Sequence, residues 1–173
     1  MRKVEVKPYD EQWISMFETE AKKLLHIFNA EIIEIHHIGS TSVGGLKSKP
    51  IIDIMPVVKD IKQIDQFNNK MILIGYESKG ENGIAGRRYF EKGGAQRTHH
   101  VHMFEIGDSQ IERHLAFRDY LRIHQDVSQK YGDLKEELSK CFPDDIASYM
   151  KGKEQLVLKI ERKALTWYKS VRK

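Results

Sequence analysis

Apolar residues recur every three or four positions from Trp13 through Met16, Phe17, Ala21, Leu24 and Leu25 to Phe28. This spacing predicts a helix with one buried face, started after Pro8 by Asp10. The period then drops to two. Ile32 to Ile38 is rich in β-branched residues, and alternation sets Ile33, Ile35 and His37 on one face of a strand against Ile32, Glu34, His36 and Ile38 on the other. A loop, Gly39 to Leu46, follows. Pro50 opens a second predicted strand, Ile51 to Val58, in which Asp53, Met55 and Val57 share a face. Asp60 is placed to cap a helix carrying Ile61, Ile64, Phe67, Met71 and Ile74, which Gly75 stops.

From Tyr76 the chain breaks into short extended pieces punctuated by Gly80, Asn82-Gly83, Gly86 and Gly93-Gly94, the pattern of an antiparallel meander. Its clearest strands are Arg87 to Lys92 and Thr98 to Ile106; in the second, His100, His102 and Phe104 alternate with His99, Val101, Met103 and Glu105. Asp108 then caps a helix over Ser109 to His124, and another runs from Asp126 to Phe142, ended by Pro143. A last helical portion begins at Asp144 or Asp145, with a break expected at Gly152. Helix, two strands and helix, then a meander, then helices, predict an α+β fold: a mixed β-sheet flanked by helices, with a helical C-terminal half. The 173 residues suit a single domain, 1–173, with one core.

Charge and cysteine usage narrow the function classes. A net charge of +4 suits an anionic ligand, but lysines and arginines are spread along the whole chain, so the composition makes no case for nucleic acid. The charged start, Met1-Arg2-Lys3-Val4-Glu5-Val6-Lys7, is not followed by an apolar run, and no segment is apolar enough to span a bilayer. Neither a secretory signal nor a membrane anchor is expected, and the cytoplasm is the expected location. A lone cysteine, Cys141, cannot form an internal disulfide and reads as a packing residue.

The candidate chemistry centres on the first strand connection. Gly39, Ser40, Thr41 and Ser42 offer hydroxyls and close backbone approach, with Lys49 behind them and Asp53 on the next strand. That inventory is the one phosphate-cradling loops use. The loop matches neither the P-loop nor the dinucleotide fingerprint. A purely structural role, a tight connection between strands, accounts for the small residues equally well from spacing alone. His100 and His102 point to one side of a strand, and if that strand lies beside Asp53 the three could ligate a divalent cation, with His37 a fourth. Arg87 and Arg88 have opposite orientations, so one of them can face a pocket as a phosphate clamp. His114, Arg118 and Arg122 fall within the apolar arc of their helix, where they either snorkel at the rim of the core or reach a polar pocket or an acidic partner such as Asp53 or a bound anion. Tyr149 and Lys153 share a face of the last helix that could border the same pocket, although a solvated face accounts for them more simply.

The run His37-Ile38-Gly39-Ser40-Thr41-Ser42-Val43-Gly44-Gly45-Leu46, with Lys49-Pro50-Ile51-Ile52-Asp53-Ile54 after it, resembles the signature of the GrpB family, within the nucleotidyltransferase-fold superfamily. Tyr9-Asp10 with Trp13, Gly86-Arg87-Arg88-Tyr89-Phe90, His100-Val101-His102 and the segment from His114-Leu115 to Arg122 extend the resemblance over nearly the whole chain. It implies that Gly39-Ser40 holds a nucleotide's phosphates and that Asp53 is the first carboxylate of an Asp-x-Asp pair that binds divalent cations, and so the residue expected to carry catalysis. Here the sequence departs from the pattern. Met55 occupies the second carboxylate position, and a thioether cannot replace a hard oxygen ligand for Mg²⁺. The expectation is therefore a nucleotidyltransferase-like protein that binds a nucleotide or other phosphorylated small molecule, with Mg²⁺, Mn²⁺ or Zn²⁺ as the expected cofactor and metal-dependent nucleotidyl or phosphoryl transfer as the implied reaction. A catalytically silent binding module and a hydrolase with a histidine metal site are the alternatives.

Overall fold

The computed structural model describes residues 2–172. Asp10 accepts a hydrogen bond from the N–H of Gln12 and starts α1 (Gln12–Phe28), whose Trp13, Leu24 and Phe28 are buried. The strand β1 (Ile32–Ile38) follows, then the loop, then β2 (Ile52–Val58). The apolar positions after Asp60 form a 3-10 turn, Ile61–Phe67, before the short helix α2 (Asn68–Leu73), and Gly75, at φ +97°, ends it. The meander is β3 (Tyr76–Ser78), β4 (Arg87–Lys92) and β5 (His99–Glu105). Three helices complete the chain: α3 (Ser109–Ile123), capped by Asp108, α4 (Gln125–Cys141) and α5 (Ile146–Val171).

The strands form one sheet in the order β1-β2-β5-β4-β3, in which β2 and β5 run parallel and every other neighbouring pair is antiparallel. Alternation along the strands creates two faces. Ile52, Ile54, Val58, Val101 and Met103 pack with Trp13, Leu24 and Phe28 of α1, each such side chain contributing about 1.5–3 kcal/mol on burial. On the other face Ile38, Met55 and Phe104 meet Ile111 and Leu115 of α3. A further core, including Val43, Leu46, Ala116, Tyr131 and Ile160, joins α3, α4 and α5 to the loop.

Three local expectations are corrected. An irregularity in the β1–β2 register between Ile32 and Glu34 leaves Ile33 unpaired and exposed, so strict alternation fails at the start of β1. α5 runs unbroken through Gly152. That glycine lies against α4: a Cβ there would sit 2.5 Å from Leu138 Cδ2. Cys141 is exposed at the end of α4 rather than packed. Among the described residues no helix is long and apolar enough to cross a membrane.

Candidate functional site

The site lies where β1 ends and β2 and β5 begin. In the sheet Asp53 pairs with Ile38 on one side and His100 on the other, which puts its side chain on the α3 face beside the loop. Gly39 turns the chain at φ +71°, ψ −173°, a region that side chains beyond hydrogen rarely tolerate. A Cβ on it would stand 2.6 Å from Asp53 Oδ2, so the glycine is what lets the loop lie against the carboxylate. Of the three loop hydroxyls, Ser40 alone reaches the cleft. Thr41 Oγ1 is paired with His37 Nε2 at 2.9 Å, and the Ser42 hydroxyl donates back to the Gly39 carbonyl. Arg118 Nη1 donates to the His37 carbonyl (3.2 Å) and Arg122 Nε to the Ser42 carbonyl (2.9 Å), so both arginines brace the loop.

Lys135, on α4, is 2% exposed and donates from Nζ to Ser40 Oγ at 2.7 Å. Burial, reinforced by the charges of Lys153 and Lys49, holds its amine well below the usual lysine range. Lys49 is pulled down to about 8, first by burial and then by Lys153. The amines of Lys49 and Lys153 lie 5.2 and 5.3 Å from the ring centroid of Tyr149, whose hydroxyl is buried without a hydrogen-bond partner. Lys47, Lys79 and Lys92 have carboxylates within ion-pair distance. Among the described residues Lys49, Lys135 and Lys153 have none. Asp53 is the acidic group that acts on Lys135 and Lys49, and it forms an ion pair with neither, so the three amines outnumber the negative charge near them and an anion beside Ser40 would add to it.

Asp53 meets two histidines of β5. His102 Nε2 is 3.0 Å and His100 Nδ1 3.4 Å from Asp53 Oδ1. Burial would push the Asp53 carboxyl up, but the hydrogen bonds from His100 and His102 outweigh it and hold the group well below the usual carboxylate range. One nitrogen or oxygen from each of the three lies within 4.8 Å of the others, a spacing that suits a small divalent cation. The outer partners do not suit it: Arg87 Nη1 is 3.3 Å from His102 Nδ1, and Arg97 Nη1 is 3.0 Å from His100 Nε2. A metal-bound imidazole keeps its second N–H for an acceptor, and a guanidinium has donors only.

Beside Asp53 and Ser40 opens a cleft of about 540 Å³. Its apolar wall includes Phe117, Tyr131, Met150 and Val157, and its rim carries Lys153 and the Arg113–Glu161 ion pair. His114 also lines it; burial, with the charges of Arg113 and His102, lowers its imidazole to about 3.

The structure thus brings Gly39, Ser40, Asp53, His100 and His102 together, with Lys49 near them but opening onto an adjoining hollow shared with Arg2 and Arg97. Other expected site residues lie elsewhere. His37 sits on the opposite face, stacked on Phe17 of α1, because its neighbour Ile38, not His37 itself, pairs with Asp53. Arg88 is tied to Asp65 at 2.7 Å, on the side away from the cleft; Arg118, Thr41 and Ser42 spend their donors on the scaffold, and Arg87 stands behind His102 with its other donors on the Glu81 and Asn82 carbonyls. Met55 is fully buried beneath Ile111 and Leu115, a place where a second carboxylate would be stranded in hydrocarbon. His114, anomalous on its apolar arc, does reach the cleft, and Lys135 is the addition. Lys135 had a signal, since it falls on the stripe of Tyr131 and Leu138 in α4, a position where a solvated lysine does not belong.

This sheet, its flanking helices and the Gly-Ser turn beside a strand carboxylate define a nucleotidyltransferase-like fold. Cid1 in complex with the UTP analog UMPNPP shares it, superposing with a TM-score of 0.52 over 78% of this chain and 43% of Cid1 at 17% identity. Residues 3–163 match the GrpB protein family, and the chain belongs to that family. The crystal structure of the conserved protein GrpB from Enterococcus faecalis superposes with a TM-score of 0.92 at 44% identity, covering 95% of this chain and 99% of that one. The UPF0157 protein YqkA of Bacillus subtilis (strain 168) is 50% identical over 168 residues, which span 97% of this chain and 49% of YqkA.

Proposed function

We propose that the chain binds a nucleotide or another small phosphorylated ligand in the cleft beside Ser40, with the phosphates held by Ser40, Lys135, Lys49 and Lys153 and the remainder on the apolar wall of Phe117, Tyr131 and Val157. The observation that carries this reading is the buried Lys135 bonded to Ser40, with Lys49 and Lys153 gathered at the Tyr149 ring and none of the three within ion-pair distance of a carboxylate among the described residues. The nucleotidyltransferase-like fold agrees with it. Calorimetric titration with inorganic pyrophosphate and a panel of nucleoside triphosphates tests it. Saturable binding to the wild type that weakens at least ten-fold in Lys135→Met is expected; no binding, or equal binding to the variant, refutes the reading.

A second reading, nucleotidyl or phosphoryl transfer assisted by a divalent cation, is favoured by the spacing of Asp53, His100 and His102. A bound cation would neutralise phosphate charge and align an attacking group. Met55 and the arginines behind the histidines weigh against it, so binding without turnover is the function the geometry supports best. Pyrophosphate release across nucleotide and acceptor panels separates the two.

A further inference from the structure

Each imidazole beside Asp53 meets an arginine at the ring nitrogen that faces away from the carboxylate. Arg87 Nη1 approaches His102 Nδ1 at 3.3 Å, and Arg97 Nη1 approaches His100 Nε2 at 3.0 Å. Because arginine is charged at any pH a protein survives and accepts no hydrogen bond, these contacts require a lone pair on the outward nitrogen. Each neutral ring then carries its proton on the inward nitrogen, His102 Nε2 and His100 Nδ1, the two atoms that face Asp53 Oδ1. A metal would require the reverse, with the lone pair inward and the N–H outward on an acceptor. Full protonation conflicts too, since the outward nitrogen would become a second donor against the guanidinium.

Neither arginine is free to turn aside. Arg87 is buried, donates to the Glu81 and Asn82 carbonyls at 3.1 and 2.8 Å and lies over the Tyr89 ring at 4.7 Å. Arg97 is held by Glu91 Oε2 at 2.7 Å and the Gly94 carbonyl at 3.0 Å. The carboxylate is thereby hydrogen-bonded by His102 and approached at 3.4 Å by His100 Nδ1, and the two outward guanidinium donors each meet a ring nitrogen as acceptor. The circuit Arg87–His102–Asp53–His100–Arg97 closes without an ion.

We propose that Asp53, His100 and His102 form a metal-free hydrogen-bonded cluster, and that the site takes its phosphorylated ligand without a divalent cation, using the lysine ammonium groups as counter-charge. The second half rests on the function proposed above. The cluster would fix the carboxylate against Gly39 and so shape the turn that presents Ser40.

Two measurements on the wild-type chain test this. In the first, ¹⁵N-edited imidazole NMR reads the tautomers of His100 and His102 before and after one equivalent of Zn²⁺. The Nδ1–H form of His100 and the Nε2–H form of His102, both unchanged by Zn²⁺, are expected; opposite tautomers, or stoichiometric loss of the inward protons on adding Zn²⁺, overturn the metal-free cluster. In the second, inorganic pyrophosphate is titrated calorimetrically in EDTA and in excess Mn²⁺. Binding in EDTA within a few-fold of that in Mn²⁺ is expected. Binding that needs Mn²⁺ overturns this inference and leaves the phosphate reading standing, whereas no binding in either buffer removes the phosphate reading and the cation-free ligand site with it.

Discussion

Lys135 Nζ lies 2.7 Å from Ser40 Oγ, joining α4 to the turn that leads from β1 towards β2. A buried amine whose partner is a neutral hydroxyl is poorly compensated, so its replacement by an apolar side chain of similar length should not harm the fold. Lys135→Met is expected to leave unfolding free energy unchanged or raise it by about 1 kcal/mol, as measured by urea denaturation, while phosphate binding falls. A large loss of stability would assign Lys135 to the scaffold.

The lysines also set a pH dependence. Lys49 titrates at about 8 in the folded chain against an ordinary 10.5, and Lys135 is lowered as well. Between those values the unfolded chain binds more protons than the folded chain, so stability rises with pH across that window. A Lys49→Met, Lys135→Met double variant is expected to flatten that rise in denaturation series between pH 8 and 10. An unchanged slope would contradict the burial of these amines.

The acid limb has a different origin. His37 is lowered to about 4, chiefly by burial, and His114 to about 3 by burial with the charges of Arg113 and His102, each from 6.5. The unfolded chain takes up these protons first, so their contribution is complete above about pH 6.5 and is lost as pH falls towards the folded values. His114→Gln is expected to make the fall in stability between pH 6.5 and 4 shallower; a variant with the wild-type slope would show that His114 titrates normally.

The site is only partly legible in the sequence, and the reason differs from residue to residue. Alternation puts His100 with His102 and Asp53 with Met55, as the structure does, because a strand's period constrains faces within one strand. It cannot say which face of β1 adjoins which face of β2. That depends on register, and the pairing of Ile38 with Asp53 is what sends His37 to the far side. Arg118 has the acidic partner that its place in an apolar arc calls for, but that partner is its neighbour Asp119 at 2.8 Å, with the His37 carbonyl beside it, and not Asp53. Lys135 is signalled by its place on the stripe of Tyr131 and Leu138, but the stripe alone does not say whether the amine reaches past the core to water or stays covered, as it does here.

Gly39 carries a prediction of its own. Its backbone conformation opposes a side chain, and so does the Asp53 Oδ2 atom, 2.6 Å from where a methyl carbon would stand. Gly39→Ala is expected to cost about 3 kcal/mol and to displace the Asp53 carboxylate, which denaturation and the His100 and His102 imidazole resonances would register. A variant of wild-type stability would mean that the turn is more tolerant than its geometry.

Gly152 tests the packing of α5 on α4. Alanine in a helix is worth about 1 kcal/mol over glycine, yet the methyl would meet Leu138 Cδ2 at 2.5 Å. Gly152→Ala alone is expected to destabilise, and the same change in a Leu138→Ala background to stabilise. A double-mutant cycle measures the coupling, and additive effects would contradict the close approach.

The central claim is that the lysines around Ser40 hold phosphate without help from a cation. A crystal structure of the chain with inorganic pyrophosphate in EDTA addresses it most directly. Phosphoryl oxygens within hydrogen-bond distance of Lys135 Nζ and Ser40 Oγ are predicted; pyrophosphate bound elsewhere, with the Lys135–Ser40 contact undisturbed, would contradict the account.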